Sequence, residues 1–290
     1  MRKIYKNQYK RHDIFSCNHS SHHRFGGAVS TYYILEEKQC YPDGCLNFVW
    51  RCQLLNKGHA CPKKFRHVGR KCFSCKHFYE NKYQQKPRLL VSPDEYRDYL
   101  HQLEDFKYWI GLNRGRKIDI DAQIASVKPD LSAAGSPDNP RFRFHGWILV
   151  FDHVYVGYDL FEDIAFARIS AKTQNRFQFA GGDSFEAVAR FNFNQGRLVF
   201  SQVHNIEVKT RGDGDLPDSE SVLVAAETAT SFPVQPEKCM RCDQGVLVEN
   251  MPSRSNRSAP SRSLVCLMGQ ENPVECLYHL DLELKADPDQ

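Results

Sequence analysis

The sequence predicts an α+β chain, mainly β: a small five-stranded β domain flanked by two cysteine-rich, metal-stabilised segments, with one helix joining it to the first. Three observations carry this. Residues 92–113 repeat apolar side chains at helical spacing, residues 118–209 alternate apolar and polar with turn signals between the runs, and the eleven cysteines fall in two groups on either side. The expected organisation is therefore a basic Cys/His-rich segment over 1–90, a connecting amphipathic helix over 91–115, a β domain over 116–210, and a C-terminal cysteine-stapled segment over 221–290.

The helix is the plainest element. In "SPDEYRDYLHQLEDFKYWIGLN", Ser92 can cap the N-terminus, Pro93 suits the first helical position, and Glu95 stands three after Ser92, as a capping box requires. Tyr96, Tyr99, Leu100, Leu103, Phe106 and Ile110 recur every three or four residues and form one apolar face; Gly111 or Gly115 can end the helix.

The β segment follows. "IDIDAQIASVKPDL" alternates up to Pro129, "RFRFHGWILVFDHVYVGY" alternates and then turns solidly apolar, and "DSFEAVARFNF" and "RLVFSQVHNIEV" flank "NQG", where Gly196 allows a turn. "TRGDGDLPDSE" (210–220) reads as a linker, and "PSRSNRSAPSRS" (252–263) as a low-complexity loop.

Cysteine spacing carries the chemistry. Cys52, Cys61, Cys72 and Cys75 follow C-x8-C-x10-C-x2-C, and four thiolates suit Zn²⁺ in a tetrahedral site. An iron–sulfur cluster takes the same ligands, but the spacing matches neither ferredoxin pattern. A thioredoxin-like C-x-x-C lacks its βαβ surroundings here. Upstream, "YPDG" turns Cys40 towards Cys45, and Cys17 with His19 or His22 would complete a second site, with His23 beside them; buried thiols and surface histidines are the plainer alternative. Near the C-terminus, Cys239, Cys242, Cys266 and Cys276 form the other candidate set, with His279 able to replace Cys276.

Charge is divided unevenly. Residues 1–90 hold 18 Lys+Arg and 5 Asp+Glu, a difference of +13, whereas the other 200 residues hold 21 and 30, a difference of −9. A basic block beside an acidic body points to polyanions, with Lys63, Lys64, Arg66, Arg70 and Lys71 as phosphate contacts. Arg141 and Arg143, alternating with Phe142 and Phe144, are candidates on the β domain. No run of about 18 apolar residues is present, so a membrane partner is not expected. The N-terminus reads without the apolar core of an export signal, so a cytoplasmic location, where thiols stay reduced, is expected. The motifs G-x-x-x-x-G-K-[ST], H-E-x-x-H and G-x-S-x-G are missing, as is the H-x-E of zinc deaminases, and no catalytic residue is assigned.

The stretch "GDSFEAVARFNFNQGRLVFSQVHNIEV", with Gly182, Asp183 and Gly196, resembles the late hairpin of an OB-fold barrel. That resemblance implies a small five-stranded barrel binding single-stranded nucleic acid or oligosaccharide on one face. "CMRCDQGVLVE" with "SLVCLMG" resembles a zinc ribbon, although its second pair is C-x9-C. The expected function is a zinc-stabilised, non-enzymatic nucleic-acid-binding protein. A protein-interaction scaffold with structural zinc and an Fe–S or thiol redox protein are the alternatives.

Overall fold

The computed structural model describes residues 2–19, 29–136, 139–232, 237–251, 261–273 and 276. The chain divides into two compact units: a sheet unit of Met1–Lys10 and Arg97–Gln290, and a ribbon unit of Arg11–Tyr96. His22, His23, His279 and most of the low-complexity loop lie outside the described residues.

In chain order the strands are β1 (Ile4–Tyr5), β2 (Phe15–Ser16), β3 (Cys45–Cys52), β4 (Phe78–Gln85), β5 (Arg88–Leu89), β6 (Lys117–Gln123), β7 (Ser126–Ser136), β8 (Asn139–Phe151), β9 (Val154–Val156), β10 (Asp159–Phe161), β11 (Ala165–Ile169), β12 (Ser184–Asn194), β13 (Arg197–Thr210), β14 (Thr230–Phe232), β15 (Gly245–Asn250) and β16 (Ser261–Cys266). The α-helices are α1 (Gln53–Asn56), α2 (Pro93–Asn113), α3 (Ala171–Phe177), α4 (Ser219–Glu227) and α5 (Glu237–Arg241).

The sheet unit is built on one 12-stranded mixed sheet in the order β1-β10-β9-β6-β12-β13-β11-β8-β7-β15-β16-β14. This corrects the expected five-stranded OB-like barrel. The hairpin that carried the resemblance exists: β12 and β13 pair antiparallel around Gln195 and Gly196. Its outer neighbours differ. β13 continues to β11 in parallel, and β12 continues to β6. The C-terminal segment joins the same sheet, because β15 runs parallel to β7 with Val248 opposite Leu131. The zinc-ribbon resemblance is corrected with it: β15 and β16 are strands of a large sheet and not a small metal-stapled hairpin.

Pro129 does not end its strand. β7 passes through it, with a register shift against β8 at Asp130/Leu131, and pairing with β15 begins only at Leu131. A proline lacks an N–H to donate, so a place just before the second ladder starts is one it can occupy. The stretch read as a linker begins pinned. Gly212 N–H (2.8 Å) and the Arg211 guanidinium (3.0 Å) both donate to the buried Asp183 carboxylate, which also accepts from Ala180 N–H (3.1 Å). Gly212 packs so closely that a Cβ there would lie 2.2 Å from the Gly181 carbonyl oxygen, so only glycine fits.

Helix α2 begins as its sequence requires. Glu95 N–H donates to Ser92 Oγ at 3.3 Å, and Ser92 N–H donates back to the Glu95 carboxylate at 2.8 Å, a complete capping box. Ser92→Ala is expected to cost about 1 kcal/mol and to speed hydrogen exchange at the first-turn amides. Unchanged exchange there would show that the cap is not made in solution. Further along, Tyr99, Leu103, Phe106, Trp109 and Ile110 are buried. Leu100, expected on the apolar face, is exposed, and Trp109 takes part instead. Phe106 and Trp109 pack among Tyr5, Phe161, Phe191 and Phe193.

In the ribbon unit, β2 pairs with β5 and β3 with β4. Phe15, Tyr41 and Tyr96 form an aromatic trio with centroids 5.0–5.8 Å apart, beside buried Ile14, Cys17, Ile34 and Cys40.

Candidate nucleic-acid interface

Strand β3, "CLNFVWRC", alternates strictly. Its register against β4 sets Leu46, Phe48 and Trp50 opposite Gln84, Lys82 and Glu80 on one face, and Asn47, Val49 and Arg51 opposite Tyr83, Asn81 and Tyr79 on the other. The first face is open: Leu46 is 65% exposed, Phe48 48% and Trp50 41%. Phe73, from the segment between the strands and 50% exposed, meets Trp50 edge-on at 4.8 Å. Lys82 Nζ lies 5.5 Å from the Phe48 ring centre, and the Trp50 indole N–H donates to Glu80 at 3.2 Å. On the opposite face, Asn47 donates to the Tyr83 hydroxyl at 2.8 Å.

Residues 53–77 join the two strands and carry the predicted cations. Lys63, Lys64, Arg66, Arg70 and Lys71 are all exposed. Their loop is shaped by tight turns in which Lys64 N–H donates to the Cys61 carbonyl and Cys75 N–H to the Cys72 carbonyl, each at 2.8 Å. The structure thus sets a basic segment and an aromatic strand face in one unit. The aromatic face was missed in the sequence, although apolar residues at 46, 48 and 50 were the signal for it.

Cys52, Cys61, Cys72 and Cys75 line one small pocket with Leu55, Phe65, His67, Val68 and Phe78, and the stems of Lys63 and Lys71 border it. The four cysteines grouped by spacing thus line one pocket. Yet among the described residues no group of three or more His, Cys, Asp or Glu is arranged to hold a metal ion. The expected metal-stabilised segments are corrected accordingly: the fold shows the four thiols lining a pocket and no formed metal-binding group. None of the eleven cysteines forms a disulfide. Cys17 and Cys40 sit in the ribbon unit's core, where burial, then the neighbouring Cys45 and Cys17, push the Cys40 thiol up to about 12.

The C-terminal set belongs to the sheet unit. Cys239 and Cys266 pack with Val150, Phe166, Phe232, Met240 and Leu264 as part of an apolar core. Burial pushes the Cys239 thiol up to about 11, with Cys242, Cys266 and Cys276 near enough to add to it. Burial also raises Cys242. Arg141 and Arg143 are exposed on β8 of the sheet unit, in the row that includes His145, and so lie in a different body from Lys63 and its neighbours.

One buried cation ties the C-terminal turn to the sheet. Lys128, 4% exposed, donates to the Met240 carbonyl and, at 2.8 Å, to the Gly245 carbonyl. Burial pulls its pKa down to about 8. Between about pH 8 and the ordinary 10.5 of lysine, the unfolded chain keeps this proton and the folded chain has lost it, so this site's contribution to stability rises with pH. Urea titrations of the wild type and Lys128→Met at pH 7 and pH 10 are expected to show the difference moving in favour of the wild type by about 2–3 kcal/mol. A pH-independent difference would show that Lys128 is not buried as a cation.

Among the described residues, no helix is long and apolar enough to cross a membrane. No protein-family model, no curated protein and no solved structure matches the chain.

Proposed function

We propose that the ribbon unit binds nucleic acid, non-enzymatically and with little sequence preference, through the basic segment between β3 and β4. The observation that carries this reading is the concentration of exposed Lys63, Lys64, Arg66, Arg70 and Lys71 in a block of net +13, beside an exposed aromatic strand face. Cations tracking a phosphate backbone, with aromatics within reach of bases, are what such surfaces require. Zn²⁺ enters the proposal as an occupant of the cavity lined by Cys52, Cys61, Cys72 and Cys75, whose soft sulfur donors suit it. Elemental analysis of purified protein tests it. The reading places this binding in the cytoplasm, a reducing compartment.

The test is binding of mixed-sequence oligonucleotides across a salt series. Log affinity is expected to fall linearly with log salt at about −0.7 per phosphate contact on single strands, or roughly −3 to −3.5 for four or five contacts. No detectable binding at low ionic strength sinks the proposal. The exposed Leu46, Phe48 and Trp50 favour a second reading, a protein-interaction scaffold, which predicts partner capture that salt does not weaken.

A further inference from the structure

We infer that the face of the β3–β4 pair carrying Leu46, Phe48 and Trp50, extended by Phe73, is a base-stacking platform that selects single-stranded over duplex nucleic acid. The inference rests on the nucleic-acid reading above and specifies which form of nucleic acid that surface takes.

The first argument is exposure. A two-stranded ribbon that spends three alternate positions on large apolar side chains normally buries that face. Here Phe48, Trp50 and Phe73 each keep roughly half of their surface in solvent. The second argument is orientation. Trp50 is fixed by its hydrogen bond to Glu80 and by the edge of Phe73, and Phe73 is held in turn by Phe78 at 5.2 Å. Rings held in this way lose little side-chain entropy when a base stacks on them.

The third argument is spacing. Positions 46, 48 and 50 share a strand face, so successive side chains stand about 6.6–6.8 Å apart. Bases within a duplex rise about 3.4 Å per step and hide their flat faces in the stack. A single strand can open its steps to the wider repeat and offer those faces. Charge selects the occupant. The face carries Lys82 beside Phe48, and its one carboxylate, Glu80, is engaged by the Trp50 indole. The surrounding block holds 18 Lys+Arg against 5 Asp+Glu, which suits a polyanion better than a second copy of the same basic surface.

The experiment uses the full chain and labelled mixed-sequence single-stranded DNA, single-stranded RNA and duplex DNA at one low salt concentration. Intrinsic fluorescence gives a direct readout, because Trp109 and Trp147 are buried and Trp50 is the exposed indole. Both single strands are expected to bind more tightly than duplex and to quench the fluorescence, while duplex leaves it unchanged. Comparing DNA with RNA shows whether the 2′-hydroxyl matters. Phe48→Leu and Trp50→Leu keep the face apolar but remove a ring. Each is expected to weaken single-strand binding by roughly five- to a hundredfold and to leave duplex binding near the wild-type value. Equal affinity for single strand and duplex without quenching overturns the platform and leaves the charge-based reading standing. Unchanged single-strand affinity in both variants, with wild-type thermal melts, overturns it too. So does a salt-insensitive dimer that Trp50→Leu dissociates. Absence of binding to all three oligonucleotides removes the charge-based reading, and the platform falls with it.

Discussion

Trp109→Ala is expected to destabilise the sheet unit by about 3–5 kcal/mol, the usual cost of deleting a fully buried large aromatic. Trp109 is 2% exposed. It stacks on Tyr5 at 4.6 Å and on Phe161 at 5.9 Å, and meets Phe191 edge-on at 5.3 Å. It therefore joins the N-terminal β1, the β10 strand beside it and the β12 strand further along the sheet, all through one ring system on α2. Its indole N–H also donates to the Asp159 carboxylate at 3.0 Å, so truncation removes that donor as well as the packing. Trp109→Phe separates the two effects. It restores most of the apolar volume, lacks the donor, and is expected to cost about 1–2 kcal/mol. Urea unfolding followed by far-ultraviolet circular dichroism checks both. A loss below about 1 kcal/mol for the alanine variant would mean that the Tyr5–Trp109–Phe161 stack is not formed in solution.

The helix that carries Trp109 shows what could be read in advance. Helix α2 was legible because its signals are local: Ser92 and Glu95 are three residues apart and make their reciprocal bonds regardless of the rest of the chain. The β12–β13 hairpin was legible for the same reason, since alternation and the glycine at 196 sit within one stretch. The sheet around them was not. β1 contributes two residues to β10 from more than 150 positions away, and β15 adds to β7 from the far side of the chain. Nothing in "IY" or "GVLVEN" encodes a partner, because a strand's hydrogen-bonding groups are the same whatever its sequence. The OB-like barrel failed at this step: a local hairpin pattern was extended to a closed architecture that the long-range ladders do not make.

Cysteine spacing was half informative. It grouped Cys52, Cys61, Cys72 and Cys75, which do share a cavity, but spacing cannot distinguish thiols that close on a metal from thiols that pack as small apolar groups. Cys239 and Cys266 pack among Val150, Phe166 and Leu264, with Cys242 and Cys276 near Cys239. Between the cysteines of "CLNFVWRC", Leu46, Phe48 and Trp50 alternate at strand spacing, which is the sequence's own signal for the aromatic face.

Reversing three charges is expected to have the largest effect on function. In Lys63→Glu, Lys64→Glu, Arg66→Glu combined, residues 1–90 fall from a net +13 to +7. All three side chains are exposed, so the change removes phosphate contacts without opening the core. Lys64 stands at φ 58°, in the left-handed region, and lysine and glutamate bear that conformation at similar cost, so the backbone strain there is unaltered. Each lost contact flattens the salt slope by about 0.7 on single strands, so the triple variant's slope is expected to be about 2 shallower. The consequence is a crossing pattern and not a uniform loss. The affinity ratio between wild type and variant shrinks about a hundredfold for each tenfold rise in salt, and the two proteins converge at high ionic strength. Binding isotherms at four or five salt concentrations measure both slopes. Parallel lines, with the variant weaker by a constant factor, would mean that these cations act on the fold and not on phosphate; coincident lines would move the polyanion site off the β3–β4 segment altogether.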